Sequence, residues 1–210
     1  MKLKFLFLSL CSAFLLNCGS VPFSRIKNGD LIFVGAEKQN LSGAINRVTQ
    51  KDENASFDHV GLVEIENRNI FVLHAAPNGG SQKESLQNFI DSETKKNQKL
   101  VLFRLKQEYQ WAIIPAITSA HQMLGKPYNF NYILNENEYY CSDFIERAFR
   151  EAHIFTLEPM SFMNPATGKT DEFWQKYYSE KGMEVPEGKP GCNPNGLARS
   201  PKLMRIGNIK

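Results

Sequence analysis

Asp58-His59-Val60-Gly61-Leu62-Val63-Glu64-Ile65-Glu66, then Asn67-Arg68-Asn69, then Ile70-Phe71-Val72-Leu73-His74-Ala75-Ala76, reads as two aliphatic strands around a tight polar turn. Strands this close in sequence pair antiparallel, which commits the chain to an antiparallel sheet. With an even loop, counting back from the turn pairs Glu66 with Asn69, Gly61 with His74 and His59 with Ala76. His59, Gly61, Val63, Val72 and His74 then share one face, and the two histidines are diagonal neighbours. Such neighbours lie about 7–8 Å apart at the backbone, so their side chains can meet. An odd loop would send His74 to the opposite face.

Outward from the hairpin, Asn28-Gly29-Asp30 turns into an apolar strand, Leu31-Ile32-Phe33-Val34. Leu41, Ala44, Ile45 and Val48 recur at helical spacing, and a polar stretch from Gln50 to Ser56 follows. Downstream, Lys99 to Leu105 is a further strand. Glu108 to Leu124 reads as a helix stopped by Gly125, with Pro115 either kinking it or marking its first turn. Asp171 to Glu180 is a helix with Thr170 as N-cap and Gly182 beyond its end. After Val185 the chain is rich in Pro and Gly, which predicts a coil wrapped on the domain or a loose tail.

In Tyr139-Tyr140-Cys141-Ser142-Asp143-Phe144-Ile145-Glu146-Arg147-Ala148-Phe149, an aromatic pair runs into a helical pattern and leaves a thiol on the first turn. Backbone N–H groups and the helix dipole favour a thiolate there, which suits a nucleophile. The plainer role for a single cysteine is that of a small buried hydrophobe. Phe144, Ile145, Ala148 and Phe149 form an apolar stripe that would pack this helix across the sheet.

Lys2 and Lys4 precede an apolar run from Phe5 to Leu16 that is too short to span a bilayer, so residues 1–17 read as an export signal. It ends Leu15-Leu16-Asn17-Cys18-Gly19-Ser20. This resembles a bacterial lipoprotein box with Cys18 as the lipidated residue, though Asn17 departs from the usual small residue and leaves ordinary signal cleavage open. Residues 18–28 are then a tether, and 29–210 a single domain. Only Cys141 and Cys192 remain in that domain; the turn-rich setting of Cys192 argues against a disulfide between them. Formal charge falls from +3 to +1 when two lysines and no acid leave with the signal. With no basic stripe, phosphate loop or paired-cysteine zinc pattern, nothing calls for nucleic acid.

The stretches Asp58-His59-Val60-Gly61, Leu73-His74-Ala75-Ala76-Pro77, Gly125-Lys126-Pro127-Tyr128 and Tyr140-Cys141-Ser142-Asp143 together resemble the circularly permuted papain-like hydrolases of the NlpC superfamily, nearest its YiiX-like amidase branch. The histidine precedes the cysteine, as the permuted order requires. The resemblance implies an α+β fold: an antiparallel sheet or partial barrel packed against helices that include the nucleophile helix. It implies Cys141 as nucleophile, His59 as general base, His74 as the polar third residue, and Tyr128 at the oxyanion or substrate. YiiX-like members more often carry a glutamate in the third place; a histidine in His-Ala-Pro is closer to the acyltransferase branch that includes lecithin retinol acyltransferase.

The expected activity is therefore cleavage of amide, or ester, bonds in small amides, peptides or acyl-lipids at a bacterial envelope, with no metal or organic cofactor. Acyl transfer, or a non-catalytic lipoprotein that binds amides or peptides, are the alternatives. A metal held by His59, His74 and Cys141 is chemically possible, but the motif context favours a triad.

Overall fold

In the computed structural model, which describes residues 20–51, 56–94 and 98–209, β1 (Leu31–Gly35), β2 (Phe57–Glu66), β3 (Asn69–Ala76), β4 (Gly80–Ser85) and β5 (Leu100–Leu105) join the last strand, β10 (Leu203–Ile209), in one antiparallel sheet. Its order is β10-β5-β1-β2-β3-β4. The hairpin has the counted register, with Glu66 opposite Asn69 and Leu62 opposite Leu73. Asn67 and Arg68 both take positive φ, 49° and 69°, a turn whose twist matches a two-residue hairpin loop. The predicted loop is thus even.

Leu31, Phe33, Leu62 and Leu73 project from one side of the sheet, under α3 (Ile113–Gln122) and α4 (Cys141–Ala148). Ile32, Val34, Val63 and Val72 project from the other, under α2 (Leu86–Glu93), which contributes Leu86 and Phe89. Burying each such side chain stabilises the fold by roughly 1.5–3 kcal/mol. The α4 stripe is as read: Phe144, Ile145, Ala148 and Phe149 are all buried. Pro115 is the third residue of α3, and a 3₁₀ turn over Gln107–Ala112 precedes it, so the proline marks a first turn, not a kink.

Several expectations change. The helix α5 (Glu172–Ser179) is capped by Asp171, not Thr170: the Asp171 carboxylate accepts from Phe173 N at 3.0 Å while pairing with Arg47 of α1 (Asn40–Thr49). Part of the expected tether is packed, since Val21 and Ile26 are buried and Val21 bridges to Ile209. The tail after Val185 is ordered and supplies α6 (Pro194–Ala198) and the edge strand β10. Between α4 and α6 the chain forms two short two-residue pairs, β6 (Glu158–Pro159) with β9 (Pro190–Gly191), and β7 (Met163–Asn164) with β8 (Lys169–Thr170). Residues 1–17 and Cys18 lie outside the described residues. No helix among the described residues is long and apolar enough to cross a membrane.

Candidate active site

The even hairpin places His59 and His74 on the α2 side of the sheet, where both rings pack on Phe89. His59 Nε2 and His74 Nδ1 are 2.9 Å apart, and His74 Nε2 lies 2.8 Å from Glu84 Oε1 on β4. The protons in this chain follow from its acceptor end. A Glu84 carboxylate can only accept, so His74 donates from Nε2 and presents the lone pair of Nδ1; His59 then donates from Nε2 and keeps its lone pair on Nδ1. Burial, aided by the neighbouring His74, holds the His59 imidazole well below its ordinary pKa, so it rests neutral.

Cys141 is the first residue of α4, and Tyr140 before it is extended, which turns the thiol toward β2. Its Sγ lies 3.8 Å from the carbonyl of Asp58, and the N–H groups of Ser142 and Val60 favour its ionised form. The thiol therefore engages the strand at Asp58 and Val60, the two residues that flank His59. Sequence reading expects a lowered thiol pKa at this helix start. The finding is the reverse: burial, with the Asp58 carboxyl adding to it, pushes Cys141 up to about 12. Asp58 is itself pushed up to about 6 by burial, against a hydrogen bond from Ser42.

The thiol opens into a narrow pocket of about 60 Å³ whose walls include Tyr128, Tyr132, Ser142, Met160 and Trp174. A larger cavity of about 510 Å³ shares the walls Val48, Thr49, Met160 and Cys192 with it, so a groove leads away from Cys141. Cys141 and Cys192 border the same pocket as free thiols. Tyr128 is buried beside the thiol, bridged to Tyr139, and burial raises its hydroxyl well above the ordinary value, keeping it a donor. Tyr132 has a positive φ of 55°, held by Asn129 Oδ1, which accepts from the N–H groups of Asn131 and Tyr132 at 2.9 and 3.0 Å. Its hydroxyl is buried in the pocket wall beside the hydroxyls of Tyr128 and Tyr177, with which it interacts, and burial raises it well above the ordinary value, keeping it protonated.

The structure thus brings His59 to His74 and Cys141 to Tyr128, and the two pairs are linked through β2, whose residues Asp58 and Val60 meet the thiol on either side of His59. Sequence reading missed Asp58, Glu84, Tyr132 and Glu93, the last residue of α2, whose Oε2 lies 3.6 Å from His59 Nε2. Glu84 was within reach: Asn78-Gly79-Gly80 signals a second turn, and in the β3–β4 register His74 faces Gln82, which leaves Glu84 on the histidine face two residues on. Nothing local marks Tyr132, whose place depends on Asn129 folding the loop back.

The chain is similar over 184 residues to the uncharacterized protein YiiX of Escherichia coli K12, with 23% identity across 86% of this chain and 85% of that protein. Its fold is similar to the crystal structure of metalloprotein yiiX from Escherichia coli O157:H7, with a TM-score of 0.66 and 22% identity over 86% of this chain and 96% of the other. The model of the permuted papain-like amidase enzymes, the YaeF/YiiX or C92 family, matches residues 25–207. With the sheet, the helix that begins at Cys141 and a match across most of its length, this chain belongs to the permuted papain-like amidase family.

Proposed function

We propose that the protein is a cysteine amidase in which Cys141 is the nucleophile, His59 the general base and His74 the residue that orients it, with Glu84 fixing the tautomers of both imidazoles. The observation that carries this reading is the hydrogen-bonded run from Glu84 through His74 to His59, which ends on a strand whose residues 58 and 60 touch the thiol. Only this tautomer order leaves an unprotonated His59 Nδ1.

In the resting site both partners are neutral, so proton transfer accompanies attack. The Sγ–H proton passes to His59 Nδ1 as sulfur bonds to the substrate carbonyl carbon, and the carbonyl π electrons move onto oxygen. That oxyanion is met by the Cys141 N–H and by the Tyr128 and Tyr132 hydroxyls; losing one such donor typically costs about 100- to 1,000-fold in kcat. The C–N bond breaks as His59 hands its proton to the departing nitrogen, leaving a thioester on Cys141. Water then attacks that thioester, giving one proton to His59, and the returning thiolate takes it back.

The substrates are small amides, peptides or acyl-lipids, seated in the groove beside Cys141. A lipid on Cys18 holds the domain at a bacterial envelope membrane. The test is a mass spectrum after exposure to an activated acyl ester: the wild-type chain gains one acyl group, on Cys141, and loses it on adding water or an amine acceptor. An adduct of equal yield in Cys141→Ala would remove the nucleophile and the hydrolase reading with it; release only to the amine would make the protein an acyltransferase.

A further inference from the structure

The geometry points to a divalent-cation site, suited to Zn²⁺, formed by His59 Nε2, His74 Nδ1 and the Glu93 carboxylate, whose filling switches the thiol chemistry off. The three donor atoms lie within 4.8 Å of one another, with His59 Nε2 2.9 Å from His74 Nδ1 and 3.6 Å from Glu93 Oε2. Ligands held tetrahedrally at zinc bond lengths stand about 3.3 Å apart, so the observed separations bracket what the ion needs. Three protein ligands of the His, His, Glu kind leave a fourth position open.

The surroundings fit a metal site as well as the ligands do. His74 is fully buried, and its far nitrogen is tied to Glu84, an outer carboxylate of the sort that fixes a ligating ring and raises its basicity. Ser92 Oγ donates to the same Glu84 oxygen at 3.3 Å, and Phe89 covers both rings. Two carboxylates therefore border two imidazoles with no lysine or arginine paired to either among the described residues. The other cluster of this composition, Glu64, Glu66 and His121, differs in that respect: Lys83 Nζ stands 2.8 Å from both carboxylates and already supplies the cation.

The switch follows from counting protons. Without metal, His59 keeps its single proton on Nε2, shared with His74, and Nδ1 is the base. A metal on Nε2 needs that lone pair, so the neutral ring must carry its proton on Nδ1 and can no longer accept one from Cys141. The binding claim stands by itself; the loss of activity rests on the amidase reading above.

The experiment uses the full chain with Cys141→Ser, so that the thiol cannot ligate, titrated with Zn²⁺ by calorimetry and with Co²⁺ by absorption. One ion per chain is expected, with the ligand-field bands of four-coordinate cobalt and no sulfur-to-cobalt charge-transfer band. Glu84→Gln should weaken binding about 10- to 100-fold, the usual effect of an outer partner, and Glu93→Gln at least as much. No bound ion, an affinity indifferent to Glu93→Gln, or a charge-transfer band in wild type that vanishes with Cys141→Ser would each overturn the site. On the wild-type chain, Zn²⁺ should stop acyl-adduct formation and a chelator restore it. Binding without that loss would retain the metal site and remove the switch; an apo chain that never forms the adduct would instead sink the amidase reading, with the metal titration unaffected.

Discussion

At Cys141 two effects oppose each other: the helix start stabilises a thiolate, and burial beside the Asp58 carboxyl disfavours one, with burial the larger. With the thiol pushed up to about 12, its ionised fraction rises about tenfold per pH unit across the neutral range. Alkylation by iodoacetamide should therefore climb from pH 7 to pH 10 without levelling, and a plateau already reached at pH 6 would mean a preformed ion pair. Glu84 sets the order of the His74 variants. His74→Gln should keep partial amidase turnover, because an amide oxygen still accepts from His59; His74→Glu should fall below it, because the new carboxylate would crowd Glu84 and Glu93. Cys141→Ala and His59→Ala should sit at background. Turnover of His74→Glu above His74→Gln would show that Glu84 does not govern the site. The two histidines were legible because strand alternation and a short turn fix their face. The charge state of Cys141 was not, since burial depends on α4, β2 and the aromatic loop meeting, and no local pattern carries that.

Among the elements, the β2–β3 hairpin is packed to its limit at Gly61. A methyl group there would come within 2.3 Å of Val72 Cγ1 and 3.3 Å of Phe89 Cε2, so Gly61→Ala should cost about 1–3 kcal/mol in urea unfolding. An unchanged midpoint would show that α2 rides looser on the sheet than its contacts imply. Asp30, which turns the chain into β1, is fully buried and held by Arg104 of β5 at 2.6 and 2.7 Å. Arg104→Leu should cost about 3–5 kcal/mol, because it strands a buried charge, and Asp30→Leu/Arg104→Leu should recover part of it. A double variant as unstable as the single would contradict the pairing. Strands and helices with clear periods were readable: β1, β2, β3, β5, α1 and α4 stand where apolar spacing put them, and α5 where its cap and stop signals did. β4 was not, because Gly80-Ser81-Gln82-Lys83-Glu84-Ser85 is polar throughout, as suits an edge strand with a lysine on it. β10 was hidden by the irregularity between Arg205 and Gly207, which breaks its alternation.

Across the whole molecule, the permuted order puts β10 on the open edge of β5, with Leu203 opposite Leu105 and Ile209 opposite Leu100, and then fastens Val21 to Ile209. Deleting residues 203–209 should bare the edge of Leu100-Val101-Leu102-Phe103-Arg104-Leu105, an apolar strand with unpaired backbone groups, and yield a chain that aggregates and melts without a cooperative transition. A soluble, cooperatively melting product would mean that β5 is not dependent on its outer neighbour. The same closure has a consequence in time. A polypeptide delivered from its N-terminus, by the ribosome or through a secretion pore, presents residues 100–105 long before residues 203–209 arrive to cover them. The six-stranded sheet therefore cannot close until residues 203–209 have been delivered, so over that interval β5 must be kept from pairing with other chains.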